Sequence, residues 1–413
     1  MEKAPKSMRL QIAILGRTNV GKSSFLNMIA GQDVAVVSPV PGTTTDVVEK
    51  SAELLPVGPV VFLDTAGIDD KSELAEKRIQ RTMNILERAD IASVIAEAGL
   101  WTEYEEKLIE ILKEKSIPFF IVFNKIDLVG SDRAIPAGKA LDCRFMFASC
   151  IEKNDTISTE KYKNEFKSLI KEITPDHLIN DLPLAGDLVP PGGLAVLITP
   201  IDLQAPKGRL ILPQVQVIRD MLDNDAVSVV VKEREYAHAL GMLSRKPDIV
   251  ICDSQVVNKM VADTPEDIKC TTFSILFSRF KGDLVEEVRG VAAIENLMPG
   301  DKVLIAEACS HHPLQDDIGR VKIPRWLRQY IGSEIIIEHS SGRDYPGNLS
   351  EYKVVVHCGG CMLTRREKLN RIENAKKAGV PITNYGLLIS YVQGVLQRVL
   401  SPFPAALAVL DAK

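Results

Sequence analysis

Eight residues, Gly16-Arg17-Thr18-Asn19-Val20-Gly21-Lys22-Ser23, restrict the fold of this chain more than any other feature. They spell G-x-x-x-x-G-K-S between an apolar run, residues 9–15, and the apolar-spaced stretch Lys22–Ala30. Such a loop wraps phosphate oxygens with backbone N–H groups, and it does so where a strand passes the chain to the N-terminus of a helix. The chain therefore opens with a βα unit of an α/β domain. Lys22 is placed to reach β- and γ-phosphate oxygens, and the Ser23 hydroxyl to meet Mg²⁺, with Ser24 beside it.

The apolar runs Val60–Leu63 and Phe119–Phe123 are bounded by turn residues, as buried parallel strands are. Glu73–Ala89 and Glu103–Lys115 carry helical spacing with charged outer faces. This first α/β domain is expected over residues 1–175, ending near Thr174-Pro175. Two strand ends in it carry chemistry. Asp64-Thr65-Ala66-Gly67 supplies a carboxylate for Mg²⁺ and a Gly67 amide for the γ-phosphate. Asn124-Lys125-Ile126-Asp127 supplies a carboxylate that can accept from the N1–H and exocyclic amine of guanine, a pairing adenine cannot offer.

Together these motifs resemble the guanine-nucleotide-binding phosphate-loop GTPases, so GTP is the expected nucleotide. Pro41-Gly42-Thr43-Thr44-Thr45-Asp46 resembles the switch segment of the bacterial subgroup that includes tRNA-modification and ribosome-assembly GTPases. That likeness makes Gly42, Thr43 and Thr44 part of the GTP site, with Thr44 closing over Mg²⁺ and the γ-phosphate. Thr45 stands where the subgroup commonly has Arg. Ala148-Ser149 resembles the last guanine-contacting loop, with Cys150 in a place often held by Lys. Ile68 follows the Asp-Thr-Ala-Gly motif where Ras-like proteins have a water-orienting Gln, so slow intrinsic turnover is expected. Asn19 matches a loop Asn that, in the resembled subgroup, helps hold K⁺. Such a cation would offset transition-state charge beside Lys22 and Thr44.

A Pro/Gly-rich junction, Pro183–Gly193, precedes a second expected unit at 176–270. There Leu194–Ile201, Val227–Val231 and Ile249–Cys252 read as strands, and Val215–Leu222 and Tyr236–Leu243 as helices. No Gly-rich phosphate loop accompanies them. A third unit, 271–413, repeats the alternation: strands at Lys302–Glu307, Glu334–Glu338 and Lys353–Val356, helices at Leu284–Leu297, Arg365–Ala378 and Leu387–Leu400. The fold class is thus α/β, a phosphate-loop domain followed by two further α/β units.

The third unit carries Cys309-Ser310-His311 after one strand and His357-Cys358-Gly359-Gly360-Cys361 after another. Parallel placement of these strands would bring both clusters to one crevice. Cys358 and Cys361 can share one metal or cluster, Cys309 adds a third soft sulfur, and thiolates select Zn²⁺ or iron–sulfur clusters. Spacing alone leaves three readings open: a structural Cys₃His zinc site, an iron–sulfur cluster with one iron lacking a Cys, or unligated cysteines.

A phosphate-loop GTPase followed by C-x-H and then H-C-x-x-C resembles, over essentially the whole chain, the FeFe-hydrogenase maturation GTPases. The resemblance implies a 4Fe–4S cluster on Cys309, Cys358 and Cys361, with His311 and His357 as possible fourth ligands. It also implies a scaffold that carries a two-iron precursor to the apo-FeFe-hydrogenase. The implied partners are that hydrogenase and two radical-SAM maturases, and the middle domain is implied to form a homodimer.

Bulk properties agree with this reading. A length of 413 residues suggests two or three domains. Apolar content of 46% and charged content of 25% describe a soluble globular chain. A net charge of −5 gives no footprint for bulk nucleic-acid binding, which counts against the alternative reading, an RNA-linked (tRNA-modification or ribosome-assembly) GTPase with a structural zinc site. No apolar run reaches membrane-spanning length, and Met1–Arg9 does not read as a signal peptide. Seven cysteines without a disulfide rhythm fit a reducing cytoplasm. Of these, Cys143, Cys150, Cys252 and Cys270 read as small buried residues, and His177, His238, His312 and His339 as surface or packing residues.

Overall fold

The computed structural model describes residues 5–30, 35–37, 48–64, 82–135, 142–150, 156–175, 183–200, 210–308, 317–342 and 345–412. The chain divides into two compact units, Met1–Asp181 and Leu182–Lys413. Among the described residues the first unit contains β1 (Leu10–Leu15), β2 (Ala35–Val37), β3 (Val48–Leu54), β4 (Gly58–Asp64), β5 (Ile91–Glu97), β6 (Phe119–Asn124) and β7 (Arg144–Phe147). They form one sheet in the order β2-β3-β4-β1-β5-β6-β7. β2, β3 and β4 pair antiparallel, and every other pairing is parallel.

Helices α1 (Lys22–Ala30), α2 (Glu103–Glu114) and α3 (Thr156–Ile173) pack on this sheet. Strand alternation divides the core in two. Ile12 and Ile14 face a cluster with Phe25, Phe62, Phe120 and Phe166. Ala13 and Leu15 face the other, with Leu63, Phe123 and Leu112. Phe166 of α3 fills the first cluster, its ring 5.5 Å from that of Phe25 and 5.4 Å from that of Phe120. Burial on both faces explains why the parallel strands read as continuous apolar runs. Of the expected helix at Glu73–Ala89, residues 82–86 are helical and 73–81 lie outside the described residues.

The second unit holds two four-stranded parallel sheets. One contains β8 (Leu194–Ile198), β9 (Val227–Val231), β10 (Ile249–Cys252) and β11 (Lys269–Thr272), in the order β11-β10-β8-β9. The other contains β12 (Lys302–Ala306), β13 (Ile336–Ser340), β14 (Val354–His357) and β15 (Ile382–Asn384), in the order β13-β12-β14-β15. All pairings in both are parallel. Each sheet therefore repeats the order second, first, third, fourth strand. The connections leave the first strand in opposite directions, and that reversal opens a crevice beyond the C-terminal ends of the first and third strands.

Each sheet's last strand runs directly into a helix. Thr272 caps α4 (Phe273–Lys281) by accepting from the Ile275 N–H at 3.2 Å. Asn384 caps α7 (Tyr385–Val392) by accepting from the Leu387 N–H at 3.0 Å. Between them come α5 (Leu284–Val291) and α6 (Arg365–Lys377).

Several expected elements shift. The strand expected at Glu334–Glu338 forms at Ile336–Ser340, registered so that Ile305 opposes His339. The helix expected over Leu284–Leu297 stops at Val291 and continues as a tighter turn over Ala292–Asn296. The one expected over Leu387–Leu400 breaks between Val392 and Leu396, where Gly394 adopts φ +72°. The middle/C-terminal boundary expected at residue 270 falls inside β11. Among the described residues, no helix is long and apolar enough to cross a membrane.

Candidate nucleotide site and candidate metal centre

The parallel strands of the first unit bring the nucleotide motifs to one edge. Ile14 pairs with Asp64, and Glu97 with Asn124, so the ends of β1, β4, β5 and β6 lie side by side. Lys22 is buried, and its ammonium donates to the Gly16 and Arg17 carbonyls at 3.0 and 2.8 Å. Asn124 Nδ2 donates to the Val20 carbonyl at 2.8 Å, so the base-reading motif braces the phosphate loop. That contact requires Gly21, at φ +93°, because a Cβ there would lie 2.3 Å from Asn124 Nδ2. Asn19 also takes the left-handed region, at φ 66°, and with Thr18 and Ser23 is exposed ahead of and within the first turn of α1.

On the base side, Lys125 at φ 63° pairs with Glu97 at 2.8 Å. Asp127 is exposed, and its Oδ1 accepts from the Ser149 hydroxyl at 2.5 Å. The Ala148 N–H donates to the Phe123 carbonyl at 2.9 Å and the Ile126 N–H to the Ala148 carbonyl at 3.2 Å. These bonds fix Ala148-Ser149 beside Asn124–Asp127. Cys150 donates its thiol to Asn124 Oδ1 at 3.2 Å. Loop amides, a buried lysine, the Asp64 carboxylate and an oriented Asp127 form a donor and acceptor set that fits a guanine nucleotide with Mg²⁺. Gly42, Thr43, Thr44 and Gly67 lie outside the described residues.

In the second unit, β12 and β14 are parallel neighbours with Ala306 opposite His357. They are the first and third strands of their sheet, so Ala308 and the C-x-x-C turn lie at its crevice. The Cys358 N–H donates to the Ala306 carbonyl at 2.9 Å, and the Cys358 sulfur accepts from the Ala308 N–H at 3.1 Å. Ala308 is the residue before Cys309. Cys309 and His311 themselves lie outside the described residues, among which no group of three or more His, Cys, Asp or Glu side chains is gathered for a metal.

Cys358 and Cys361 are half-buried. Burial, followed by the neighbouring Cys358 sulfur, pushes the Cys361 thiol up to about 11, against the opposing pull of Lys281. A metal binding there displaces that proton. Two thiols on one C-x-x-C turn at a sheet crevice fit a soft metal or cluster.

His357 corrects an expectation. Its ring is fully buried, and both nitrogens are engaged. Arg371 can only donate, so at 2.9 Å it fixes Nε2 as acceptor, and Nδ1–H donates to the Cys358 carbonyl at 2.7 Å. Burial, then Lys368 and Arg371, hold its pKa well below the ordinary histidine value. His357 is a neutral buttress under the C-x-x-C turn, with no lone pair free to serve as a fourth ligand.

Other residues of these sites gave no signal in the sequence. Glu105 is fully buried, caps α2 and pairs with Arg17 of the phosphate loop at 2.6 Å. Glu307, directly after β12, lies 3.4 Å from the Tyr385 hydroxyl and 3.6 Å from Arg320 Nε. Lys281 of α4 donates to the Cys361 and Leu363 carbonyls at 2.9 and 2.7 Å. Lys368 pairs with Glu287 at 2.7 Å, both fully buried. Read along the chain, each looks like an ordinary helix-end or surface charge.

Known proteins divide the chain in a similar way. A family model described as 50S ribosome-binding GTPase matches residues 11–125. The Hydrogen maturase F dimerization domain matches residues 184–282 and the Hydrogen maturase F tetramerization domain residues 285–402. The tRNA modification GTPase MnmE of Nostoc sp. is 44% identical over 124 residues, covering 29% of this chain and 26% of its own. GTPase Der of Persephonella marina is 34% identical over 178 residues, 42% of this chain and 40% of its own. The chain thus spans between about a quarter and two-fifths of these curated relatives. Among solved structures, Aquifex aeolicus Era is 19% identical, with a TM-score of 0.32, over 57% of this chain and 98% of that one. A GTPase domain followed by two hydrogen maturase F modules, which together span more than half of the residues, places this chain in the hydrogen maturase F family, a hydrogenase-maturation GTPase.

Proposed function

We propose that the chain is a GTP-hydrolysing scaffold whose third unit holds a 4Fe–4S cluster and delivers a two-iron precursor, its cargo, to apo-FeFe-hydrogenase. The observation that carries this reading is the Ala308 N–H bond to the Cys358 sulfur at 3.1 Å. That bond ties Ala308, the last described residue before Cys309, to the C-x-x-C turn. Cys309, Cys358 and Cys361 would hold the cluster. When bound, it supplies one iron without a cysteine, open to an exchangeable ligand. His311 is the histidine left as candidate for that position.

In the first unit, Lys22 and the amides of residues 16–24 hold the phosphates, while Ser23, Thr44 and Asp64 hold Mg²⁺. Asp127, kept in place by Ser149, reads guanine, with Lys125 and Ala148 beside it. Asn19 holds K⁺, and turnover falls when Na⁺ replaces it. The proposed domain order is nucleotide-binding, dimerising and cluster-binding, with the second boundary moved from residue 270 to between the family matches that end at 282 and begin at 285, in a cytoplasmic protein that works with two radical-SAM maturases and not with nucleic acid. The middle unit dimerises. Its edge strand β9 leaves Val227 52% and Val230 42% exposed, an apolar edge suited to a second copy.

The test is iron, sulfide and zinc content with an EPR spectrum of protein purified and reconstituted without oxygen. Iron and sulfide near four per chain, with a reduced-cluster signal, support the reading. Stoichiometric zinc without iron returns the third unit to a structural Cys₃His site.

A further inference from the structure

Lys281 is the last residue of α4, and only 1% of it is exposed. Its ammonium crosses to the C-x-x-C turn and donates to the carbonyls of Cys361 and Leu363 at 2.9 and 2.7 Å. It also lies 5.7 Å from the face of Phe277, one helical turn earlier. Both hydrogen-bond acceptors are uncharged, and no carboxylate of the described residues is in ion-pair contact with it. Lys368, the other buried lysine at the turn, is neutralised by Glu287 at 2.7 Å.

Burial pulls the Lys281 ammonium down to about 8, against the Cys361 sulfur and the Glu367 carboxylate, and a buried charge without an ion-pair partner in contact persists where something nearby compensates it. The Cys361 sulfur belongs to the same residue whose carbonyl Lys281 holds. Gly360, at φ +68°, gives the turn a shape in which a Cβ would sit 3.6 Å from the Lys368 side chain. Thr364 then caps α6, whose N-terminus adds partial positive charge to the same turn.

We infer that Lys281 is the positioning residue of the cluster site, a buried cation that fixes the C-x-x-C turn through two carbonyls and favours the more negative state of whatever its thiolates bind. This rests on the cluster reading above. It adds a link between modules, because Lys281 falls within the dimerization-domain match at 184–282 while the turn it holds falls within the tetramerization-domain match at 285–402. The geometry of the metal turn is thereby set in part from the dimerising module.

The experiment uses the whole chain, reconstituted without oxygen, as wild type, Lys281→Met and Lys281→Arg. Three readouts are compared: cluster loss to an iron chelator, the midpoint potential by EPR titration, and the far-UV melting profile. Lys281→Met is expected to lose iron at least tenfold faster. Its reduction equilibrium should shift at least tenfold toward the oxidised state, about 59 mV more negative for one electron. Lys281→Arg, which keeps the charge, should restore most of the potential.

A folded Lys281→Met chain with wild-type retention and potential overturns the inference. A wild-type chain that takes up no iron and sulfide sinks the cluster reading, and the inference with it. Should Lys281→Met not fold, acetic anhydride labelling of the wild type read by mass spectrometry decides. Lys281 must stay protected relative to Lys246, whose side chain is 68% exposed, and labelling at the Lys246 rate overturns the inference.

Discussion

Glu49 illustrates how much one side chain can contribute to the first unit. It sits on β3 and accepts from Lys6 at 2.7 Å and Arg88 at 2.5 Å. Burial alone would raise its pKa, but Arg88 and Lys6 outweigh burial and hold it at about 2. A carboxyl depressed in the folded state stabilises above its unfolded pKa and loses that contribution as pH falls toward the folded value. The contribution is on the order of 3 kcal/mol at neutral pH, lost between about pH 4.5 and pH 2. Glu49→Gln should therefore lower the melting transition of the first unit at pH 7 and flatten its acid dependence, as read by calorimetry. Gly21 offers a different single-residue test. An Ala there meets Asn124 Nδ2 and must hold φ +93°, which costs roughly 1–2 kcal/mol. Weakening of nucleotide binding by about tenfold is expected from fluorescent-GDP titration, with the melting transition of the first unit lowered by a few degrees. Equal affinity in Gly21→Ala would show that the brace between Asn124 and the phosphate loop has no bearing on binding.

At the scale of elements, α2 joins helix capping to the phosphate loop. Glu105 accepts from the Thr102 N–H at 3.0 Å and its hydroxyl at 2.6 Å, and from Arg17 Nε at 2.6 Å. Glu105→Ala removes a capping box and leaves Arg17 without this partner. Breaking a buried pair costs about 3–5 kcal/mol, with the cap contributing about 1 of its own. The expected result is a lower melting transition together with weaker nucleotide binding, whereas Thr102→Ala should affect stability alone. The two variants thus separate the cap from the loop anchor. This double role also marks the limit of sequence reading. The phosphate loop, Asp64 and Asn124–Asp127 were legible because each motif ends an apolar run, and parallel strands bury both faces. The meeting of β12 and β14 was legible for the same reason. Glu105, Lys281 and Arg371 were not, because a buried polar partner adds no period to the sequence around it. His357 was read as an available ligand, since nothing along the chain foretells that Arg371 occupies its Nε2. The bounds of β13 were harder still: Ile336-Ile337-Glu338-His339-Ser340 has no apolar–polar alternation, so nothing in the sequence marks where this edge strand starts and stops.

For the whole molecule, the decisive feature is that the second unit uses one sheet topology twice and, among the described residues, carries its C-x-x-C turn at the crevice of the second sheet. The first crevice, beyond β8 and β10, presents Thr199, Asp253 and Ser254 instead. Repetition gives each sheet the same opening, and local residues decide what it holds. Tetramerisation, which the family match assigns to the third unit, had no counterpart in the sequence reading because an oligomeric surface need not differ in composition from other surface. The division into Met1–Asp181 and Leu182–Lys413 leads to the last prediction. Cys358→Ser and Cys361→Ser should each lose most of the iron and sulfide held by the wild type, because oxygen is a poor substitute for a soft thiolate. GTP turnover in the same preparations should stay within about twofold, since neither residue belongs to the first unit and stability effects at distant sites are nearly independent. Iron analysis and phosphate release from one sample read both. Loss of iron with turnover retained would show that the units fold and work separately. Parallel loss of both would show that the chain depends on its metal turn to keep the nucleotide domain competent.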